Sequence, residues 1–453
     1  MKLLVPLLLT FSTVLLGQSS ADESDSLQHV VLVSIDGLRP EFYLDVRYPL
    51  PTLRILKEQG AHAKAVRGVY PTVTYPSHTT MVTGATPAQH GIYYNEVFNR
   101  KEDSRRWFWE SSRIELPTLW DAAMAKGLTT ATVWWPVTVG ANVTWNVPEV
   151  WSISDDTTSL EKMRFHQNPE GLIEEIERAA TGLWTDERVT WDYFEREEIA
   201  TGAAAYILET YRPNLLLVHI VVADHFQHVQ GREGEKVMEA LVMVDYGLNR
   251  LVRAAERAGI ADRTTFVITG DHGFVDIHTI LAPNVWLADN GLIKVQDGKR
   301  GSDWTAVFHV TGASAFLHTQ KPNDMKAVGK VRRILDSLPS EYRKLFRILD
   351  RGELAAAGAD PRVSLALDPV PGINLTGDPK GEVLRHGRSR GTHGYFPNLP
   401  AIHTGFVAAG PGIRKGTVVP KMSLTDIAPL VAFLLNLDFE APAGTLYPGL
   451  LER

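Results

Sequence analysis

The chain reads as an α/β protein, an α/β/α sandwich with a mostly parallel central sheet and a small inserted subdomain. Three observations predict this. Short apolar runs rich in Val and Ile recur along the chain, each followed by a turn. Amphipathic segments that stop at Gly lie between them. A region of different texture interrupts the alternation at about residues 281–388.

Taken in order, His29–Ile35 is the first strand, apolar enough to be buried on both faces. Residues 53–59 read as a helix ended by Gly60. A loop from Pro71 enters a helix expected over residues 77–83 and stopped by Gly84. Residues 118–126 form a helix closed by Gly127, and residues 214–222 a second strand. Residues 237–258 make a long amphipathic helix ending at Gly259. Residues 264–269 and 401–409 are the third and fourth strands, and residues 424–437 the last helix. All four strands are expected to be parallel, because helices stand between them. Within 281–388, three Asp-Pro pairs mark turns, residues 313–317 look like a strand and residues 326–338 like a helix. Residues 28–440 would form one unit around this insertion.

The 453 residues can bury a large core, and 44% hydrophobic with 22% charged residues is ordinary for a globular protein. The net charge of −7 leaves no basic footprint, so no nucleic acid duplex is expected as a partner. Residues 1–21 read as an export signal: Lys2, an apolar stretch from Leu3 to Leu16, and small residues up to Ala21. No later run is long enough to span a bilayer, so no membrane anchor is expected after cleavage. Cysteine is absent, which in an exported chain fits a bacterial periplasm or extracellular space.

Five clusters carry the chemistry. They are Asp36-Gly37, the loop Thr72-Val73-Thr74-Tyr75-Pro76-Ser77-His78, Asp224 with His228, Gly270-Asp271-His272-Gly273, and Gly391-Thr392-His393-Gly394. Three follow an expected strand, and residues at the carboxyl ends of parallel strands line one crevice. Asp224 and His228 are four apart, so a helical turn puts them on one face. The glycines around Asp271-His272 and His393 suit tight turns and close approach. Carboxylate plus imidazole without thiolate favours zinc over manganese or iron. Thr74 would stand at a helix N-terminus, where the dipole favours phosphate. A Thr hydroxyl is too weak an acid to attack at neutral pH, but loses its proton more readily beside a metal. Two ions about 4 Å apart suit in-line displacement at phosphorus. His62, His90, His219, His225 and His278 are read as structural or surface residues.

In order and spacing these motifs resemble the nucleotide pyrophosphatase/phosphodiesterase family (type I phosphodiesterases) of the alkaline phosphatase superfamily, from about Val30 to Leu437. The resemblance implies an alkaline phosphatase-like fold and two Zn²⁺ per chain. Asp36, Thr74, Asp271 and His272 would hold one ion, and Asp224, His228 and His393 the other. It further implies hydrolysis of phosphodiester or pyrophosphate bonds in a small phosphate ester, nucleotide-type, through a phosphothreonine at Thr74. Asn95, after His90-Gly91-Ile92, would donate its amide to a phosphoryl oxygen, and Tyr75 would stack on substrate. The chain departs from the family pattern at Ser77, where many relatives have Asn. It also lacks any Tyr between Tyr94 and Tyr193, where nucleotide-binding relatives carry one. Trp107, Trp109, Trp134, Trp135, Trp145 or Phe165 could stack instead.

The alternatives are a phosphomonoesterase or phosphonate hydrolase of the same superfamily, or an exported metal- or ligand-binding protein on a degenerate scaffold. A sulfatase is disfavoured because no Cys can become formylglycine. A phosphoglycerate mutase is disfavoured by Thr in place of Ser and by the export signal.

Overall fold

A computed structural model describes residues 28–100, 106–153, 156–387 and 390–452. The export signal read at residues 1–21 lies outside them. The nine strands of the central sheet are β1 (His29–Ile35), β2 (Ala61–Arg67), β3 (Thr130–Val133), β4 (Trp145–Val147), β5 (Leu215–Ile220), β6 (Thr264–Thr269), β7 (Thr404–Ala409), β8 (Thr417–Val419) and β9 (Met422–Ser423). Their order is β8-β2-β7-β6-β1-β5-β3-β4, with β9 also beside β2.

Alternation within β1 builds the layers. Val31, Val33 and Ile35 join one apolar cluster, while Val30 and Leu32 join another on the opposite face. The first cluster takes in the helices α1 (Pro51–Gln59), α4 (Tyr193–Tyr211) and α6 (Glu235–Arg257). The second takes in α2 (Thr74–Thr83), α3 (Leu119–Ala125) and α7 (Ile427–Leu434). Helix α5 (Val222–Gln230) follows β5 almost directly. The molecule is thus an α/β/α sandwich. Each Leu or Val buried between the layers contributes about 1.5–3 kcal/mol.

The sheet is parallel except at β7, which runs antiparallel to both β6 and β2. The parallel reading of residues 401–409 is therefore corrected. His393, before β7, packs on Asp224 and His272 at the sheet's carboxyl edge, so β7 enters from that edge. Two reversals at β7 leave β2 parallel to β1 and β6. Helix α4, the strands β2, β3 and β4, and the break that starts α7 at Ile427 were not anticipated.

Residues 306–369 hold a separate four-stranded antiparallel sheet: Ala306–Thr311, Ser314–Thr319, Leu365–Pro369 and Phe346–Asp350. Its apolar face packs with Val331 and Leu335 of the helix Met325–Asp336.

Candidate metal centre and active site

β1, β2, β5 and β6 all end at the same edge, and the clusters follow their ends. Asp36 is the residue after β1. Asp224 and His228 sit one turn apart on α5, with Oδ1 and Nε2 3.5 Å apart. Asp271 and His272 follow β6. His393 comes just after Gly391–Thr392, which pairs with Val275–Asp276 beside β6.

These side chains converge. His272 Nε2 lies 3.2 Å from Asp36 Oδ1 and 3.2 Å from Asp271 Oδ2. His393 Nε2 lies 3.7 Å from Asp224 Oδ1. The rings of His272 and His393 stack at 3.6 Å. Two overlapping groups result, Asp36–Asp271–His272 and Asp224–His272–His393, each with ligand atoms within 4.8 Å of one another. His272 belongs to both, between the two sets expected from sequence. His228 reaches the second group through Asp224.

Each of the three imidazoles is anchored at Nδ1 by a backbone carbonyl: His228 by Gly391 at 3.0 Å, His393 by Thr72 at 3.0 Å, His272 by Gly273 at 3.2 Å. With Nδ1–H donating, Nε2 keeps its lone pair for a ligand position. Asp271 Oδ1 accepts the N–H groups of Gly37 (3.1 Å) and His272 (2.9 Å), which turns Oδ2 toward the cluster. Gly270 and Gly273 have ordinary backbone angles, so close approach is their reason. A Cβ on Gly270 would meet Thr404 Oγ1 at 2.3 Å, and one on Gly273 would meet Ala401 O at 2.5 Å.

Thr74 is the first residue of α2, so the helix starts three residues earlier than expected. Pro76 falls within the first turn, where its missing N–H is not needed. Thr74 lines a cavity of about 740 Å³ together with Asp36, Asp224 and His228. Asn95 Oδ1 accepts the Tyr75 N–H at 2.9 Å. That bond ties Asn95 to the start of α2, and its Nδ2 makes no hydrogen bond among the described residues. Tyr75 is wholly buried, its ring edge-on to Trp107 at 5.1 Å and Trp151 at 6.4 Å. Of the alternative stacking residues, Trp107 lines the cavity. Trp109, Trp134 and Trp135 are buried, Trp145 stacks on Tyr211, and Phe165 is exposed.

Sequence reasoning missed a group behind the cluster. His219 lies in β5, with Nε2 3.2 Å from Asp36 Oδ2 and Nδ1 2.8 Å from Glu149 Oε2. The available signal was one His inside an otherwise apolar strand. Trp151, Tyr193 and Arg196 also line the cavity and were not singled out as site residues.

The electrostatics point to a cation. Burial, then Asp224 and Asp271, push the Asp36 carboxyl well above its usual range. Burial likewise lifts Asp271 to about 7. Burial holds His393 down at about 4, and holds His272 well below the ordinary imidazole value with His393 and His228 adding to it. Within this cluster four atoms are buried without any hydrogen-bond partner: Asp36 Oδ1, Asp224 Oδ1, Asp271 Oδ2 and His272 Nε2. Polar atoms buried together this way carry a desolvation cost that an ion offsets. All four belong to the two convergent groups, so the donor set fits divalent cations.

A sandwich with this constellation at its carboxyl edge defines a protein of the alkaline phosphatase superfamily. Within it, the chain belongs to the type I phosphodiesterase/nucleotide pyrophosphatase family, whose model matches residues 30–396. It is 23% identical to a venom phosphodiesterase of Naja atra over 446 residues, covering 94% of this chain and 46% of that one. It is 27% identical to ectonucleotide pyrophosphatase/phosphodiesterase family member 3 of Rattus norvegicus over 433 residues, covering 90% and 42%. The chain spans about half the length of the curated relatives it matches. Among solved structures it resembles human ectonucleotide pyrophosphatase/phosphodiesterase 5, with a TM-score of 0.65 at 19% identity, covering 92% of this chain and 97% of that one. An inactive murine form of that protein, in complex with AMP, matches at a TM-score of 0.64 and 19% identity with the same coverage. Among the described residues no helix is long and apolar enough to cross a membrane.

Proposed function

We propose that the chain hydrolyses phosphodiester or pyrophosphate bonds in nucleotide-type substrates through a phosphothreonine at Thr74. One observation carries this reading: four buried ligand atoms without hydrogen-bond partners converge at the strand edge, and two of their residues, Asp36 and Asp224, line a cavity that Thr74 also lines. Asp36, Thr74, Asp271 and His272 would hold one divalent cation, and Asp224, His228 and His393 a second, zinc by the donor set. When bound, such cations supply positive charge that makes a neighbouring hydroxyl more acidic and offsets charge on phosphoryl oxygens.

The chain's own groups do the rest. Thr74 Oγ, at the N-terminus of α2, releases its proton to solvent and forms a bond to phosphorus as the opposite P–O bond breaks. The leaving oxygen departs with that electron pair and is protonated from solvent. Asn95 Nδ2 donates to a phosphoryl oxygen, and the Thr74 N–H at the start of α2 favours the added charge. Water then displaces Thr74 Oγ from phosphorus, releasing the phosphomonoester and restoring the hydroxyl. The carbonyls of Gly391, Thr72 and Gly273 hold the three imidazoles in one tautomer throughout.

The murine relative's complex with AMP supports the nucleotide-type reading. An exported setting, periplasmic or secreted, belongs to the same proposal and rests on the pattern of residues 1–21. So does the reading of residues 281–388 as an insertion.

Rates on bis-p-nitrophenyl phosphate and p-nitrophenyl phosphate test the reaction. The diester is expected to turn over faster, and equal or faster monoester turnover would overturn the assignment. Thr74→Ala is expected to lower diester turnover at least ~10³-fold while zinc content stays near wild type. Near wild-type turnover in that variant would remove Thr74 as the nucleophile.

A further inference from the structure

Among the described residues lining the cavity, Arg196 is the only Arg or Lys. It sits in the first turn of α4 and is 9% exposed. Its guanidinium lies over the Trp134 ring at 4.8 Å and 6.0 Å from the Tyr193 ring. Its Nε is buried without a partner, and no hydrogen bond or ion pair reaches the guanidinium among the described residues. A cation–π contact offsets only part of the cost of desolvating a charge.

None of the acidic groups nearby makes a hydrogen bond or ion pair to Arg196 among the described residues. Glu149 is held by His219 at 2.8 Å, and Asp186 accepts the Leu160 N–H at 3.1 Å. Asp36 and Asp224 belong to the metal-ligand groups. Glu197, the next residue, accepts the Val221 N–H at 3.1 Å. The ring beneath Arg196 is also fixed at some cost. Trp134 has φ 53°, a left-handed conformation that a bulky residue rarely adopts. A buried guanidinium over a rigid aromatic plate, facing the cavity shared with Thr74, has the makings of an anion site.

We propose that Arg196 reads a second anionic group on the substrate, a carboxylate or phosphate carried by the organic group that enters the cavity. The inference rests on the phosphodiesterase reading above and narrows its substrate class. A guanidinium fork suits either oxyanion, and the aromatic walls of Trp107, Trp151 and Tyr193 strengthen the pairing by excluding water.

The test is calorimetric binding to the zinc-loaded full chain, so it does not depend on turnover. The probes are three sets of matched chain length: alkylphosphonates, ω-carboxyalkylphosphonates and α,ω-bisphosphonates. At one chain length wild type is expected to bind a doubly anionic probe about tenfold or more tighter than its alkyl counterpart. Arg196→Met should abolish that preference and leave alkylphosphonate affinity unchanged. If Arg196→Met fails to fold, Arg196→Lys, which keeps the charge without the fork, should show a reduced preference with alkylphosphonate binding intact. The proposal is overturned if wild type shows no preference, if the preference survives in the variant, or if the variant weakens all probes equally. The preferred set identifies the oxyanion. If no diester is hydrolysed while the Arg196-dependent preference holds, the reaction assigned above fails and the anion site stands.

Discussion

His219 ties the candidate metal-ligand group to the wall of the cavity. Burial alone would discharge its ring, but the Glu149 and Asp36 carboxylates on either side push the imidazole well above its ordinary range. Charged, it donates to both, so it fixes Asp36 Oδ2 and leaves Oδ1 facing His272. A group that orients a ligand in this way typically changes metal affinity 10- to 100-fold when removed. His219→Leu is therefore expected to weaken zinc binding by about that factor in chelator competition, with turnover largely recovered at saturating zinc. Unchanged zinc affinity would reduce His219 to a packing residue. The sequence exposed half of this arrangement. A His inside an apolar strand needs buried partners, but Glu149 lies 70 residues away in a loop that no periodicity marks. Asp36, Asp271, His272 and His393 were legible because each sits beside glycine or at a strand end, and Asp224 with His228 because a spacing of four puts them on one helix face.

Helix α4 bears a buried acid outside the candidate metal-ligand groups. Glu197 is 1% exposed, with Oε1 on the Val221 N–H and Oε2 without a partner. Burial raises it to about 7 from an ordinary 4.5. The folded state therefore holds this proton more tightly than the unfolded chain. Its contribution to stability is full below pH ~4.5 and is lost as pH rises through about 7. Glu197→Gln should remove that dependence, so the variant gains on wild type in thermal unfolding between pH 5 and pH 8, on the order of 1 kcal/mol or more. A constant difference across that range would show that Glu197 ionises freely. The helix escaped sequence reading because Ala200, Ala203, Ala204 and Ala205 are all buried, which leaves no clear polar face to give a period. Helix α6, with a polar face toward solvent, was visible for the opposite reason. Strands β1 and β6 were legible from continuous apolar runs. The direction of β7 was not, because composition reports burial on both faces and not the edge from which a strand enters.

At the scale of the whole molecule, the candidate metal-ligand groups join parts that backbone hydrogen bonding connects weakly. Asp36, Asp224 and Asp271–His272 follow the ends of three neighbouring central strands, but His393 follows a two-residue strand outside the central sheet. Its ring is pinned to the Thr72 carbonyl, at the approach to Thr74. A cation that binds only the folded chain adds stability by mass action, about 2.7 kcal/mol per site when free ion is 100 times Kd. Without it the buried carboxylates must hold protons or repel one another, as the raised Asp36 and Asp271 show. Stripping metal with a chelator is therefore expected to lower Tm by several degrees, reversed by zinc. The loss should be uneven. Hydrogen exchange at residues 391–395 should rise first, while β1 and β6, bonded on both sides within the sheet, stay protected. Equal Tm with chelator and with zinc, or uniform exchange along the chain, would mean that ions do not bridge the His393 segment to the strand edge, and Thr74 would then owe its placement to α2 alone.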